Sequence, residues 1–228
     1  MSYKQQQIEQ LKKRKFSLGI LASNWLSFKD TLTILSKNNL NLLHFDIADG
    51  QFSSLFTTGA IAIKPFNSDF IKDVHLMVGC RLLSTVEACA EAGADIITLQ
   101  VESGQDIDTA YRWLTDNKPD ILQGISICSS SDITLLTPYL AQIDVVQILT
   151  LDPRTGYKLE KEILFERINA VIHLLGARRK EIILSVDGSM NLALATELRT
   201  LDIDWIVSGS AFFADNDLQK TIELWTNF

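Results

Sequence analysis

Two imidazoles and two carboxylates carry the chemistry that this chain offers. His44 and Asp46 lie two apart in Leu42-Leu43-His44-Phe45-Asp46-Ile47-Ala48-Asp49-Gly50, an apolar run that ends in a turn. Successive side chains of a strand point to opposite faces, so these two project the same way, with Leu43 and Phe45 behind them. His75 lies in a similar run, Asp73-Val74-His75-Leu76-Met77-Val78, and Asp187 closes a third, Leu184-Ser185-Val186-Asp187. An imidazole beside a carboxylate at a strand end suits a divalent metal or proton transfer. Each residue also has a plainer reading. A lone strand histidine is commonly a hydrogen-bonded core residue, and Asp46 and Asp187 can cap the loops that follow them.

The elements that must position these groups follow from periodicity. Short, nearly continuous apolar runs predict strands at 16–22, 42–46, 73–78, 95–101, 122–127, 145–149, 182–186 and 205–208. Helical patterns predict helices at 28–37, 81–91, 107–115, 132–140, 160–175, 192–199 and 218–225, with a weaker one at 58–70 that Pro65 interrupts. Strand–helix alternation on this scale predicts a TIM (β/α)8 barrel, one domain over 1–228 with 1–15 as a polar N-terminal extension. A doubly wound open sheet is the alternative, but Gly19-Ile20-Leu21-Ala22-Ser23 is not the glycine-rich phosphate turn such a sheet carries after its first strand. Barrel chemistry sits at the C-terminal ends of the strands, where His44, Asp46, His75 and Asp187 all fall. Four such groups at one mouth can fill a site for zinc, manganese, iron or cobalt. Gly188-Ser189 and Gly209-Ser210 follow strands seven and eight, where loops often bind phosphate through backbone N–H groups. Gly-Ser pairs also serve ordinary turns.

Bulk composition narrows the class. A formal charge of -7, from 21 Lys+Arg against 28 Asp+Glu, argues against a nucleic-acid partner. The one basic cluster, Lys12-Lys13-Arg14-Lys15, reads as a solvated helix end. Cys80, Cys89 and Cys128 match no metal spacing and their odd number closes no disulfide framework, so reduced thiols are expected. The first residues lack a signal-peptide core, and no apolar stretch reaches the roughly 18 residues of a membrane span. A cytoplasmic protein without membrane contact is expected.

These residues also carry a resemblance. His44-Phe45-Asp46-Ile47-Ala48-Asp49-Gly50 resembles the H-x-D-x-M-D-G motif of the ribulose-phosphate 3-epimerase family, and Asp73-Val74-His75-Leu76-Met77 its D-x-H-L-M motif. Ala92-Gly93-Ala94-Asp95 and Gly209-Ser210-Ala211-Phe212-Phe213 are similar to its A-G-A-D and G-S-A-I-F segments. Val186-Asp187-Gly188-Ser189 is nearer the V-D-G-S of the D-allulose-6-phosphate 3-epimerase branch. The resemblance implies a metal, zinc first, held by His44, Asp46, His75 and Asp187. It implies that Asp46 and Asp187 are the acid/base pair of a C3 epimerisation. It implies a phosphate held by Gly156, Gly188, Ser189, Gly209 and Ser210, and a homo-oligomer. Trp113 or Trp225 could serve its interface or fill buried helix faces.

The chain also departs from the pattern. Gly19 stands where the family has a serine, Ala48 where it has methionine, Gln100 where strand four usually ends in histidine, and Cys128-Ser129 replaces N-P. The P-G-F-G-G-Q loop becomes Pro153-Arg154-Thr155-Gly156-Tyr157-Lys158, in which Arg154 or Lys158 can offer charge to a phosphate or simply lie in an exposed basic loop. The expected substrate is thus a phosphorylated ketose of the ribulose/xylulose 5-phosphate type, with allulose 6-phosphate or another ketose phosphate as alternatives. The other class to weigh is a non-catalytic sugar-phosphate-binding barrel. Decarboxylases of the orotidine-phosphate superfamily are disfavoured, because Ala48 occupies the lysine position of their D-x-K-x-x-D motif.

Overall fold

Eight parallel strands close on themselves in chain order in the computed structural model, which describes residues 2–66, 69–215 and 217–227. They are β1 (Phe16–Gly19), β2 (Leu42–Ala48), β3 (Ile71–Met77), β4 (Ile96–Gln100), β5 (Leu122–Ile127), β6 (Val145–Leu149), β7 (Ile183–Asp187) and β8 (Trp205–Ser208). The helices are α1 (Tyr3–Leu11), α2 (Phe28–Lys37), α3 (Leu82–Glu91), α4 (Ile107–Asn117), α5 (Lys161–Leu175), α6 (Leu192–Leu198) and α7 (Leu218–Thr226). This is the TIM barrel that the periodicity predicts.

The side-chain period of two builds the barrel interior in layers. The lowest inward positions are Leu42, Ile96, Leu122, Val145, Ile183 and Trp205, one apolar cluster. Two residues further along the same strands stand His44, Thr98, Gly124, Gln147 and Ser185, and the next step reaches Asp46, Gln100, Ser126, Leu149 and Asp187. Outward residues such as Leu43, Phe45, Val74 and Leu76 pack under the helices in the main core. The barrel is therefore dry at its base and polar towards its C-terminal mouth.

Three expectations need correction. Strand one ends at Gly19, and the predicted 20–22 portion is a 3-10 turn, Ile20–Ala22. The 132–140 segment is also 3-10 (Ile133–Tyr139), because Pro138 lacks the N–H that an α-helix needs there. Within the predicted 58–70 helix only Ala60–Ala62 is helical among the described residues, again 3-10, and residues 67 and 68 lie outside the described set.

The polar N-terminal segment is structural. Ser2 caps α1 through its Oγ, and Ile8 and Leu11, one helical turn apart, close the base of the barrel against the apolar layer. The basic cluster ends α1 at the surface and also reaches neighbouring backbone. Lys12 Nζ donates to the carbonyls of Arg179 and Lys180, Arg14 Nη1 to that of Asn39, and Lys15 Nζ to that of Thr226. Each acceptor lies at or just beyond the C-terminal end of a helical segment, where carbonyls lack helical partners and cations are favoured. Trp225 is 3% exposed and Trp113 packs against the core, so both are explained by packing.

Candidate metal and proton-transfer centre

At the mouth, β2, β3 and β7 bring His44, Asp46, His75 and Asp187 together, with one ligand atom from each all within 4.8 Å of one another. Parallel register sets this up: Asp46 lies beside His75 on the neighbouring strand, and His44 beside Asp73. Both imidazoles are fully buried, while the Asp46 side chain keeps 35% of its surface open to the mouth.

Outer partners fix how each imidazole is presented. His44 Nδ1 lies 2.7 Å from Asp73 Oδ2, which also accepts from Ser17 Oγ at 3.1 Å. A carboxylate only accepts, so Nδ1 carries the proton, and Nε2 faces Asp46 Oδ1 at 3.3 Å and Asp187 Oδ2 at 3.8 Å. On the other side, Gln100 Nε2 donates to the Glu102 carboxylate, which leaves Gln100 Oε1 to accept from His75 Nε2 at 2.8 Å. His75 Nδ1 then presents a lone pair 3.2 Å from Asp46 Oδ1. Gln147 Nε2 donates from β6 to His75 Nδ1 and Asp187 Oδ2, at 3.2 and 3.1 Å.

The electrostatics are those of a cation site. Two acceptors, His75 Nδ1 and Asp46 Oδ1, sit side by side, an arrangement that calls for a shared proton or a positive ion between them. Burial works against charge at Asp46, but His44 and His75 outweigh it and hold its carboxyl well below the usual range. Burial and the Asp46 charge push Asp187 the other way, up to about 6. Burial opposes the charged form of His44, yet Asp73 and Asp46 raise its proton affinity well above that of a free imidazole. Two imidazole nitrogens aimed inward by outer acceptors, with two carboxylates, match the donor set of a divalent ion.

The phosphate candidates divide. Gly188 (φ 103°) and Ser189 (φ 42°) both adopt the left-handed region directly after β7, and the Gly188 carbonyl accepts from Thr150 Oγ1 at 2.6 Å. A serine in that region stores about 1 kcal/mol of strain, and turns of this kind gather N–H groups into anion-binding concavities. Gly209-Ser210 follows β8 and packs against β1: a Cβ on Gly19 would stand 2.9 Å from Gly209 Cα. Gly156 lies in the connection after β6, where its N–H donates to the Asp152 carbonyl at 2.7 Å inside a turn closed by the Leu151–Lys158 bridge. Arg154 is not an isolated loop cation, since it is clamped to Asp152 through Nε and Nη2 at 3.0 and 2.7 Å.

Sequence reasoning assigned no role to Asp73 or Gln147 and treated Gln100 only as a departure. The D-x-H spacing puts Asp73 on the same face as His75, a signal for the first. The two glutamines are polar residues at inward positions of otherwise apolar strands, the only hint the chain offers of them.

A (β/α)8 barrel with paired imidazoles and carboxylates at the C-terminal mouth defines a class of enzymes that move protons or polarise oxygens there. Within that class the chain belongs to the ribulose-phosphate 3-epimerase family, whose model matches residues 15–213. It is an isomerase, an epimerase acting on sugar phosphates. It is 36% identical over 216 residues to the LsrE protein of Salmonella typhi, whose name carries the word epimerase, covering 92% of this chain and 85% of that one. It is 27% identical over 207 residues to the ribulose-phosphate 3-epimerase of Treponema pallidum, covering 88% and 93%. Among solved structures, the KGPDC of Streptococcus mutans superposes with a TM-score of 0.64 at 14% identity, covering 93% of this chain and 95% of that one, a likeness of fold alone. Among the described residues no helix is long and apolar enough to cross a membrane.

Proposed function

We propose that this protein is a metal-dependent 3-epimerase of a phosphorylated ketose. The observation that carries the reading is the convergence of two outward-anchored imidazoles on two carboxylates that arrive from β2 and β7. His44, Asp46, His75 and Asp187 would hold one divalent ion, zinc before manganese, iron or cobalt. Once bound, the ion would supply stabilisation of the negative charge that develops on the enediolate oxygens.

The remaining work falls to the chain. Inverting C3 removes a proton from one face and returns a proton to the other, which calls for two carboxyl groups on opposed sides of the carbon. Asp46 and Asp187 take these roles, one accepting the C3 proton while the other, protonated, donates. Gln147, in reach of both His75 and Asp187, steadies the β7 carboxylate. Gly188-Ser189 and Gly209-Ser210 would receive the phosphate and so locate C3 between the carboxylates. The substrate class is a ketose phosphate of the ribulose/xylulose 5-phosphate or allulose 6-phosphate type.

The test is a screen of ribulose, xylulose, allulose and fructose phosphates in deuterated water, with protein stripped of metal and then reloaded. The expected result is C3 deuteration and epimerisation that need the metal and fall by roughly 10²–10⁴-fold in Asp187→Asn. Exchange that survives metal stripping, or that Asp187→Asn leaves intact, would overturn the mechanism.

A further inference from the structure

The half-buried carboxylate of Glu102 has no step assigned to it, yet it ends a relay of hydrogen bonds that begins at the metal centre. Glu102 lies in the 3-10 turn that follows β4, Val101–Ser103. Its Oε1 accepts the Cys128 N–H at 2.8 Å, and Arg167 Nη2 holds the other side of that residue by donating to the Cys128 carbonyl at 2.7 Å. Its Oε2 accepts from Gln100 Nε2. The second proton of that nitrogen points at Cys128 Sγ, 3.2 Å away. Gln100 is fully buried, so its amide has only these protein partners and His75 to choose from.

The two ends of an amide have the same shape, so sterics do not decide which end of Gln100 faces His75. Hydrogen bonding does, because a carboxylate only accepts. Glu102 takes the NH2 end, and the carbonyl end is left to accept from His75 Nε2 at 2.8 Å. Gln147 Nε2 demands the same tautomer, since it donates to His75 Nδ1 at 3.2 Å. Asp73 does for His44 by direct contact what Glu102 does for His75 at one remove. If Gln100 turned over, its NH2 would face Nε2 and the imidazole proton would move to Nδ1. It would then lie between His75 and Asp46 Oδ1, in the place of the ion.

We infer that Glu102 is a positioning residue which, through Gln100, keeps His75 Nδ1 free of a proton and open towards the metal position. The assignment rests on the reading of the four-residue cluster as a metal centre. In Glu102→Gln the Cys128 N–H still needs an acceptor and takes the new carbonyl, so the new NH2 faces Gln100 and turns it over. Adding Gln100→Glu returns an obligate acceptor to His75 Nε2, and the same carboxylate accepts from the new amide. The double variant keeps the net charge of wild type.

Long-range proton–nitrogen NMR correlations of the metal-free protein at pH 8 report which nitrogen of His75 carries the proton. The chain has three histidines, and the His75 signals are those missing from His75→Gln. Zinc affinity is read separately, by competition with a chelator. Wild type should show the proton on Nε2. Glu102→Gln should show it on Nδ1 and bind zinc roughly 10–100-fold more weakly, and the double variant should return to Nε2 with an affinity within about threefold of wild type. A merely structural role for Glu102 would leave the tautomer unchanged and weaken zinc equally in both variants. A wild type protonated on Nδ1, a Glu102→Gln protein that keeps its proton on Nε2, or a double variant that stays on Nδ1 overturns the role of Glu102. The expected tautomers in proteins that bind no zinc would overturn the metal reading and leave the control of His75 by Glu102 standing.

Discussion

At the scale of single residues, the site depends on atoms one bond outside it. Asp73 and Gln100 touch no candidate metal position, yet they decide which nitrogen of His44 and of His75 keeps its lone pair inward. Asp73→Asn preserves shape but can offer its NH2 to Nδ1, which would turn the tautomer around. The expected outcome is a 10–100-fold loss of metal affinity, roughly, with activity recovered at saturating metal, measured by competition against a chromophoric chelator. Proton competition adds a pH dependence with a definite sign. Metal binding needs Asp187 ionised and His44 without its second proton, and both hold their protons more tightly than the free side chains do. Affinity should therefore fall as pH drops, first as His44 takes up its second proton above the range of a free imidazole and again through about 6 as Asp187 protonates, well before an ordinary carboxylate would, and recover as pH is raised again. Equal affinity at pH 5 and 7.5 would refute this coupling. The four candidate ligands were legible in the sequence because a period of two places them on inward faces. Their outer partners were legible only as motif neighbours, since which strand lies beside which, and in what register, is a property of the closed sheet.

At the scale of elements, strands read more faithfully than the connections. Continuous apolar runs must be strands buried on both faces, and all eight form. Helical periodicity over 132–140 did not foresee the 3-10 geometry that Pro138 enforces, and apolar continuity extended strand one past Gly19, where the chain turns to pass beside β8. That passage explains a departure from the family pattern. A serine hydroxyl at position 19 cannot simply be restored, because its Cβ would press on the Gly209 backbone at 2.9 Å, and backbone does not yield as a side-chain tip does. Gly19→Ser is expected to shift the loop after β8, weaken phosphate binding and lower stability by about 1–3 kcal/mol, the usual range for overpacking. Inorganic phosphate affinity and the denaturant midpoint read the two effects. An unchanged midpoint with tighter phosphate binding would mean that the β1–β8 contact is looser than the geometry requires.

At the scale of the whole molecule, the barrel has a dry end and a chemical end, and α1 belongs to the dry one. Its sequence, YKQQQIEQL, holds few apolar residues, too sparse for periodicity to distinguish it from a solvated tail. Only the closed barrel reveals what Ile8 and Leu11 do: they pack in one buried cluster with inward side chains of β2, β4, β5, β6, β7 and β8. Leu11 is 5% exposed, so Leu11→Ala removes buried methyl groups at a place where the ring of strands cannot collapse to fill the gap. A loss of about 2–4 kcal/mol is expected, towards the upper part of the range for such truncations because the strands are mutually hydrogen-bonded. The metal centre lies two side-chain layers above, on the same strands but outside direct contact, so distant effects should add rather than couple. Leu11→Ala should therefore lower the urea midpoint and alter the emission of Trp205, which packs in the same cluster, while metal affinity and C3 exchange at 25 °C stay within about twofold of wild type. A variant that kept its stability would show that α1 merely rests on the barrel. One that lost its metal in proportion to its stability would show instead that the base and the mouth of this barrel open as a single unit.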